Sequence, residues 1–249
     1  MQFMVVCLEG HMKNAALSLF FDSKKIGPHS RIFEYFRKFF RKYYEQNGRR
    51  FPWRSKRTSA FHLLVAEILL KQTKATDVVA VWLRLIRRYP TTSALAQAHG
   101  PSLYRILRPL GLQRQRFFAL TSLARAIDEE FSVKVPKEIA HLLALPYVGL
   151  YSACAVACFC YGSRVPIVDA NVLRVLSRLT GDYYGRDLRR NRDVWSMAWA
   201  ILPRQGFAEH NYGLLDFSAQ LCTSRSPECL RCPLRRRCVY GKLRIGSLQ

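Results

Sequence analysis

The sequence is poor in acidic residues. Asp and Glu total 17 against 40 Lys and Arg, which gives the chain a formal net charge of +23. A solvated surface does not need such an excess of cations, and the polyanions that suit it are nucleic acids and anionic membranes. The basic residues are spread along the whole chain, whereas a membrane-binding protein more often concentrates them on one amphipathic helix. The composition therefore favours nucleic acid as the partner.

The sequence also lacks long apolar runs, strict alternation of apolar and polar residues, and internal repeats. No apolar run approaches the roughly 20 residues that span a bilayer. The N-terminus lacks the basic region and the small-residue cleavage site of a signal peptide. We therefore expect an intracellular protein without membrane attachment. Hydrophobic residues make up 49% of the 249 residues, which is enough for one large domain or two lobes, each with its own core.

Hydrophobic residues recur at helical spacing from Ile32 onward, and Gly, Pro, Asp or Ser punctuate most of the joins. The segments and their connections are short, so we predict an all-α fold in which the helices form a compact orthogonal array. A first helix starts near Ile32 and stops at Gly48. The later predicted helices are 60–71, 75–89, 93–99, 101–109, 114–130, 136–143, 150–161, 170–180, 191–202 and 209–221.

Four of the eight cysteines crowd into one loop, with six, two and five residues between them. Four thiolates at this spacing can wrap one metal centre. Zinc sites usually show two Cys-x2-Cys pairs, of which only one is present here, whereas iron–sulfur clusters take four cysteines at varied spacings. The residues alone leave zinc and iron–sulfur open, and disulfides are disfavoured in a reducing compartment. The candidate ligands are Cys222, Cys229, Cys232 and Cys238.

Five arginines lie between these cysteines. Guanidinium groups on a loop held by metal suit a contact with phosphate, although a merely solvated basic loop has the same composition. The arginines are Arg225, Arg231, Arg235, Arg236 and Arg237.

The segment from Leu145 to Ala153 indicates a tight glycine turn that opens a helix. The first amides of a helix have no partner inside it, so Val148 and Gly149 are candidates to present N–H groups to a phosphate. A turn with only a structural role has the same pattern. Tyr147 stands within the turn, where a positive φ would strain a tyrosine.

Two carboxylates are candidate site residues. Asp169 follows an extended stretch and precedes a helix, so it is either a reactive acid or only a helix cap. Glu67 lies inside an apolar helix, where a carboxylate is costly unless it is paired or faces a pocket; a surface-facing residue is the alternative. Gln72 and Leu112 lie in predicted exposed loops, from which they could fill a gap in a base stack.

These motifs, in this order, resemble those of the helix-hairpin-helix DNA glycosylases of the endonuclease III superfamily. The resemblance runs from about Ile32 to Tyr240, and one departure is Tyr147, where the family's hairpin has glycine. The matching motifs are Phe51–Arg54, Ala66–Leu70, Leu145–Gly149, Val168–Asn171 and the cysteine loop.

The resemblance implies a two-lobed fold with the active site in the cleft between the lobes. A six-helix lobe containing the hairpin is expected over 54–164, and an iron–sulfur-cluster lobe over 29–53 plus 165–249. Residues 1–28 form a weakly patterned N-terminal extension. The resemblance also implies a [4Fe–4S] cluster on the four cysteines and catalysis by Asp169. The implied partner of this monomeric protein is double-stranded DNA with a mismatched or damaged base, and the implied location is DNA-associated, in the cytoplasm or nucleoid.

The residue two positions after Gly149 separates the branches of this family. Members that cut the strand carry a lysine there, which forms a Schiff base with the sugar, and adenine glycosylases of mismatches usually carry serine and a further C-terminal domain. Here the position is Tyr151, as in the thymine–guanine mismatch glycosylases, so catalysis without strand cleavage is implied.

The resemblance therefore implies hydrolytic removal of thymine or uracil opposite guanine. Glu67 is expected to bind the edge of the flipped base, and Tyr151 to shape the pocket. The alternatives are adenine removal, a mismatch-binding protein without catalysis, and an electron-transfer protein.

Overall fold

The computed structural model describes residues 31–182 and 192–246. Over these residues the chain consists of helices and short 3-10 turns without any strand, which confirms the predicted all-α fold. The N-terminal extension 1–28 lies outside the described residues. The α-helices in chain order are α1 Arg31–Asn47, α2 Ala60–Leu70, α3 Ala75–Arg88, α4 Thr92–Ala96, α5 Gly100–Leu107, α6 Gln113–Phe131, α7 Ile139–Ala144, α8 Leu150–Tyr161, α9 Ala170–Thr180, α10 Arg192–Ala200, α11 Phe207–Gln220 and α12 Val239–Gly246.

Each predicted helix between residues 60 and 221 has a counterpart, and the ends agree to within three residues. The start of α7 is one of the largest differences, since the helix begins at Ile139 and not at Pro136. Ile139 and Leu142 are the buried residues of this short helix. The helix therefore starts where its apolar side chains turn inward, and the preceding residues form an irregular connection in which Val133 has a φ of 68°.

The chain forms two compact units. The continuous unit is Arg50–Ser163, and the discontinuous unit combines the described residues up to Arg49 with those from Arg164 onward. None of the described helices combines the length and the apolar character needed to cross a membrane.

The core of the continuous unit is built around α2. This helix is apolar on nearly every side, and nine of its eleven residues are buried, as expected for a helix enclosed by others. It contacts α3, α6 and α8. Each fully buried leucine, such as Leu64 or Leu69, contributes about 2 kcal/mol relative to an exposed one. The Ser59 side chain caps the first turn by accepting a 3.2 Å hydrogen bond from the His62 amide.

The discontinuous unit is held together by close packing of α1 against α11. The Phe217 ring lies 5.3–5.7 Å from the rings of Phe39, Phe40 and Tyr43, centroid to centroid. A Cβ added to Gly213 would stand 1.8 Å from the carbonyl oxygen of Phe40. Only glycine allows the two helix backbones to approach this closely.

A buried carboxylate joins the end of α1 to α11. Asp216 is fully buried and accepts hydrogen bonds from the Arg49 backbone N–H at 2.8 Å and from the Arg49 Nε at 2.6 Å. Pairing of this kind is what a buried charge requires.

Candidate active site

The Asp169 carboxylate caps the N-terminus of α9. Its Oδ1 accepts hydrogen bonds from the amides of Asn171 at 2.9 Å and Val172 at 2.7 Å. Its Oδ2 accepts one from Nδ2 of Asn171 at 2.8 Å. The structure therefore gives Asp169 the capping role foreseen as an alternative. A cap does not exclude catalysis, because the residue is partly exposed and a carboxylate fixed in one orientation suits electrostatic stabilisation of a developing positive charge.

A chain of hydrogen bonds connects Asp169 to the start of the cysteine loop. Asn171, which donates to Asp169, accepts a 2.9 Å hydrogen bond from Nη1 of Arg174. Arg174 also donates to the carbonyl oxygens of Ser218 at 2.9 Å and Cys222 at 3.0 Å. The residues that orient the acid are thus joined to the backbone of the first cysteine. Sequence reasoning missed Arg174, because an arginine on a basic, amphipathic helix looks solvated.

The four cysteines of the loop line one cavity between α9, α11 and α12. In the described part of the chain, no three His, Cys, Asp or Glu side chains already have the spacing of a metal site. The shared cavity still allows the four cysteines to bind one metal centre. Rotation about a single bond in each side chain is enough to move its sulfur. Burial raises the pKa of Cys232 to about 11, and the charges of the other three cysteines act in the same direction. Binding of a metal centre would therefore displace thiol protons.

Hydrogen-bond donors lie beside two of these sulfurs. The Gly241 amide donates to Sγ of Cys238 at 3.3 Å, and Nη1 of Arg178 lies 3.4 Å from Sγ of Cys222. Arg178 also donates to the carbonyls of Thr223 and Ser224, at 2.7 and 3.0 Å. Four thiols on one cavity, two of them with an amide or guanidinium donor beside the sulfur, form a ligand set that fits an iron–sulfur cluster.

The arginines of the loop are partly engaged within the protein. Arg231 pairs with Glu228 at 2.9 Å, and the Arg237 guanidinium stacks over the Tyr35 ring at 4.1 Å. Most of the positive charge still faces solvent, as a phosphate contact would require. The exposed arginines of the loop are Arg225, Arg231, Arg236 and Arg237.

The hairpin turn joins α7 to α8, and Tyr147 has a φ of 63° within it. The strain foreseen for a tyrosine at a positive-φ position is therefore present, and the side chain is 51% exposed. The Val148 amide donates to the Leu145 carbonyl at 3.3 Å, and its side chain is buried. Val148 thus packs the turn, and its amide is already engaged. Gly149 is the N-cap of α8 and has no side chain to cap the helix, which leaves this end suited to an anion.

Lys71 ties the hairpin to the end of α2. Its Nζ donates a 2.9 Å hydrogen bond to the Tyr147 carbonyl. Burial lowers the pKa of Lys71, and the Glu67 carboxylate raises it. Glu67 itself is only 9% exposed, so the alternative of a surface-facing residue is wrong. Sequence reasoning missed Lys71, although its spacing of four residues from Glu67 places both on one side of a helix.

Gln72 and Leu112 are exposed and share an unusual backbone conformation. Gln72 has a φ of 57° and Leu112 a φ of 49°, and Leu112 is 47% exposed. Left-handed conformations are uncommon for residues other than glycine and concentrate at functional sites. Sequence reasoning predicted the exposure of both residues and missed their conformation.

Tyr151 is the second residue of α8 and is half-buried. A phenol at this position has no amine that could form an imine with a sugar aldehyde.

Comparison with known proteins agrees with these features. Residues 65–185, which include Glu67, the hairpin and Asp169, match the family described as HhH-GPD superfamily base excision DNA repair protein. A thymine-DNA glycosylase of Aeropyrum pernix is 37% identical over 76% of this chain and 86% of that relative. An adenine DNA glycosylase of Mycobacterium tuberculosis is 39% identical over 77% of this chain, but only 63% of that relative is covered.

The fold agrees as well. The solved structure of a thermostable thymine-DNA glycosylase superposes with a TM-score of 0.80 and 29% identity, covering 86% of this chain and 98% of that one. The identity and the coverage of the Aeropyrum relative exceed what a shared fold alone would give. The chain belongs to the HhH-GPD superfamily of base excision DNA repair proteins.

Proposed function

We propose that this protein is a mismatch-specific DNA glycosylase that hydrolyses the glycosidic bond of thymine or uracil opposite guanine and leaves an abasic site. The observation that carries the proposal is Tyr151, two residues after Gly149, where a strand-cutting enzyme of this family needs an amine. One relative and one solved structure are named thymine-DNA glycosylases, and each aligns with this chain over most of its own length. Uracil lacks only the methyl group of thymine, so a pocket that admits thymine also admits uracil.

The reaction begins with base flipping, which costs less for a mismatched base than for a paired one. Gln72 and Leu112 would fill the space that the base leaves in the stack. The N-terminus of α8 at Gly149 and the exposed arginines of the cysteine loop would hold phosphates of the DNA.

Asp169 would then stabilise the positive charge that develops on the sugar as the bond to the base breaks. The same carboxylate would orient the attacking water and accept its proton. Glu67 would hydrogen-bond the polar edge of the flipped base, and Tyr151 would pack against that base. The products are the free base and an abasic site, without strand cleavage.

We also propose that Cys222, Cys229, Cys232 and Cys238 hold a [4Fe–4S] cluster. The four thiols share one cavity, and two of them have a donor beside the sulfur: a guanidinium at Cys222 and an amide at Cys238. The cluster would fix the loop that carries the arginines, and the proposed hydrolysis needs no electron transfer. DNA-independent redox turnover would instead favour the electron-transfer alternative.

A panel of defined duplexes tests the function. We expect release of thymine from T·G and of uracil from U·G, with strand breaks only after alkali, and no release from T·A. Release of adenine from A·G without release of thymine would instead favour an adenine glycosylase, which is what the mycobacterial relative is named. Mismatch binding without release of any base would favour a binding protein.

Borohydride trapping tests the role of Tyr151. The wild-type protein should give no covalent complex with T·G DNA, whereas Tyr151→Lys should give one, because it supplies the missing amine. Efficient trapping of the wild-type protein would overturn the argument from Tyr151.

A further inference from the structure

Arg116 is an arginine whose burial the sequence does not reveal. It lies in the first turn of α6, is only 4% exposed, and has no acidic partner among its hydrogen bonds in the described structure. Burial lowers the pKa of its guanidinium. A buried cation is costly unless its donors are satisfied, so its five hydrogen bonds explain how it is accommodated.

The first set of acceptors lies in the turn that follows α2. Nη2 of Arg116 donates to the carbonyl oxygens of Leu69 at 3.3 Å and Lys71 at 3.0 Å, and to Oγ1 of Thr73. Gln72 lies between Lys71 and Thr73 and has the left-handed conformation. We call Leu69–Thr73 the Gln72 turn.

The second set of acceptors lies in the turn that precedes α6. Nη1 of Arg116 donates to the carbonyl oxygens of Leu110, at 2.6 Å, and Gly111. The next residue is Leu112, which is also left-handed and whose carbonyl accepts a 2.9 Å hydrogen bond from the Arg116 amide. We call Leu110–Leu112 the Leu112 turn.

One planar guanidinium therefore joins the two turns that expose Gln72 and Leu112. We infer that Arg116 is a positioning residue that locks the Gln72 turn and the Leu112 turn into one rigid wedge. The planar guanidinium donates hydrogen bonds to several carbonyls at fixed angles, which the single nitrogen of a lysine cannot do. Without the guanidinium, the Gln72 turn would lose three hydrogen bonds and the Leu112 turn two. The Gln72 and Leu112 side chains would then no longer be presented together.

This inference deepens the proposed function, because it assigns the wedge a role in base flipping. Opening a base pair requires unstacking the base, which is unfavourable. A wedge that is already ordered before DNA binds adds no further cost for ordering the two turns. Arg116 would thus speed base release without touching the DNA.

The test compares Arg116→Lys with Arg125→Lys. Arg125 lies on the same helix and also donates to a backbone carbonyl, that of Ala96, but it contacts neither turn. The first readout is 2-aminopurine fluorescence from a probe placed beside the mismatched thymine, which rises when the base pair is opened. The second is the single-turnover rate of base release. We expect Arg116→Lys to abolish most of the fluorescence rise and to slow release by about tenfold or more, with Arg125→Lys unchanged.

A double-mutant background separates positioning from a merely structural role. In a Gln72→Ala, Leu112→Ala protein the wedge side chains are already gone, so adding Arg116→Lys should cause little further loss. A full additional loss in that background, or an unchanged fluorescence rise in Arg116→Lys alone, would overturn the inference. If Arg116→Lys fails to fold, Thr73→Val removes one acceptor at the surface of the same network and should give a smaller defect in both readouts. Normal readouts for that variant would count against the wedge.

A different result would refute the proposed function alone. A wild-type protein that opens the mismatch, as seen by fluorescence, but releases neither thymine nor uracil would refute the proposed reaction and leave the wedge intact.

Discussion

Lys71 and Tyr147 are 76 residues apart in the chain, yet Nζ of Lys71 donates a 2.9 Å hydrogen bond to the carbonyl oxygen of Tyr147. The accepting residue is the one that occupies the usual glycine position of the hairpin and carries a positive φ. The bond fixes the orientation of a peptide group that belongs to a strained turn, and it anchors this turn to the end of α2. The hairpin therefore keeps its shape despite the tyrosine.

Replacing Tyr147 with glycine should stabilise the protein. A left-handed conformation costs a residue with a Cβ about 1–2 kcal/mol, and glycine adopts it freely. Removing the Tyr147 ring costs little packing energy, because the ring is exposed. For a chain of this length, 1 kcal/mol corresponds to about 2–4 °C in Tm, which differential scanning calorimetry resolves. Tyr147→Ala is the matched control: it loses the same ring but keeps the strain, so its Tm should not rise. Equal Tm values for the two variants would contradict the argument from strain.

Replacing Asp169 with asparagine should abolish base release and preserve the fold. An asparagine oxygen can still accept the hydrogen bonds of Asn171 and Val172, and asparagine caps helices as well as aspartate does. The negative charge that would stabilise the sugar cation is lost, so we expect a decrease of about 1,000-fold in the single-turnover rate. DNA affinity, measured by fluorescence anisotropy, should remain. Asp77→Asn, in the first turn of α3, should leave the rate unchanged. A mismatch-binding protein without catalysis would keep its function in Asp169→Asn.

The helices were predictable because their apolar periodicity and their caps are local properties. Ser59 and Asp169 begin helices in the way that their side chains indicate, and α2 is enclosed as its composition suggests. Glu67 was predictable as a candidate for the same reason, since a carboxylate stands out in an apolar helix.

The support of the site was not predictable, because it depends on tertiary contacts. Arg116 lies two residues from the exposed Arg114, and nothing in the spacing distinguishes the buried arginine from the solvated one. The left-handed conformations of Gln72 and Leu112 are imposed by the turns and not by the residue types, since neither is glycine or asparagine. Tyr147 is the informative exception. The hairpins of the family have glycine at this position, so the sequence pointed to strain there if the turn requires a positive φ, and the φ is 63°.

Acid should destabilise the protein through His210. This side chain is fully buried on α11, its ring meets Phe40 edge-on, and Nε2 has no hydrogen-bond partner among the described residues. Burial lowers the pKa of His210 to about 4; the 3.3 Å contact of Nδ1 with the Arg37 carbonyl opposes this shift, and the Arg37 charge adds to it. In the unfolded chain the pKa is about 6.5, so between these values the unfolded state binds more protons. Stability is full above pH 6.5 and falls as the pH drops toward 4.

The expected loss from His210 at pH 5 is about 2 kcal/mol, at about 1.4 kcal/mol per pH unit below 6.5. Urea unfolding at pH 7 and pH 5 measures it. His210→Leu cannot take up a proton, so its stability should depend less on pH in this window, whatever its stability at pH 7. His99→Gln, at an exposed site, should behave as the wild type. An unchanged difference between the two pH values in His210→Leu would show that other groups cause the acid sensitivity.

Arg174 and Arg178 offer a matched pair for testing how the cysteine loop affects the acid. Both donate to the Cys222 carbonyl, Arg174 at 3.0 Å and Arg178 at 3.5 Å, but only Arg174 also holds Asn171, the partner of Asp169. Replacing either with methionine keeps most of the side-chain length and leaves carbonyl oxygens without donors. Each loss of this kind costs about 1–3 kcal/mol, so both variants should show a lower Tm.

The rate of base release should separate the two variants. Below the Tm of both, Arg178→Met should release the base at a rate close to that of the wild type. Arg174→Met should be slower by about tenfold, because an unanchored Asn171 lets Asp169 rotate away from its fixed orientation. The iron content of each protein, measured alongside, would show whether a difference in cluster loading explains the result. Equal rates for the two variants at equal iron content would mean that Asn171 holds the carboxylate without help from Arg174.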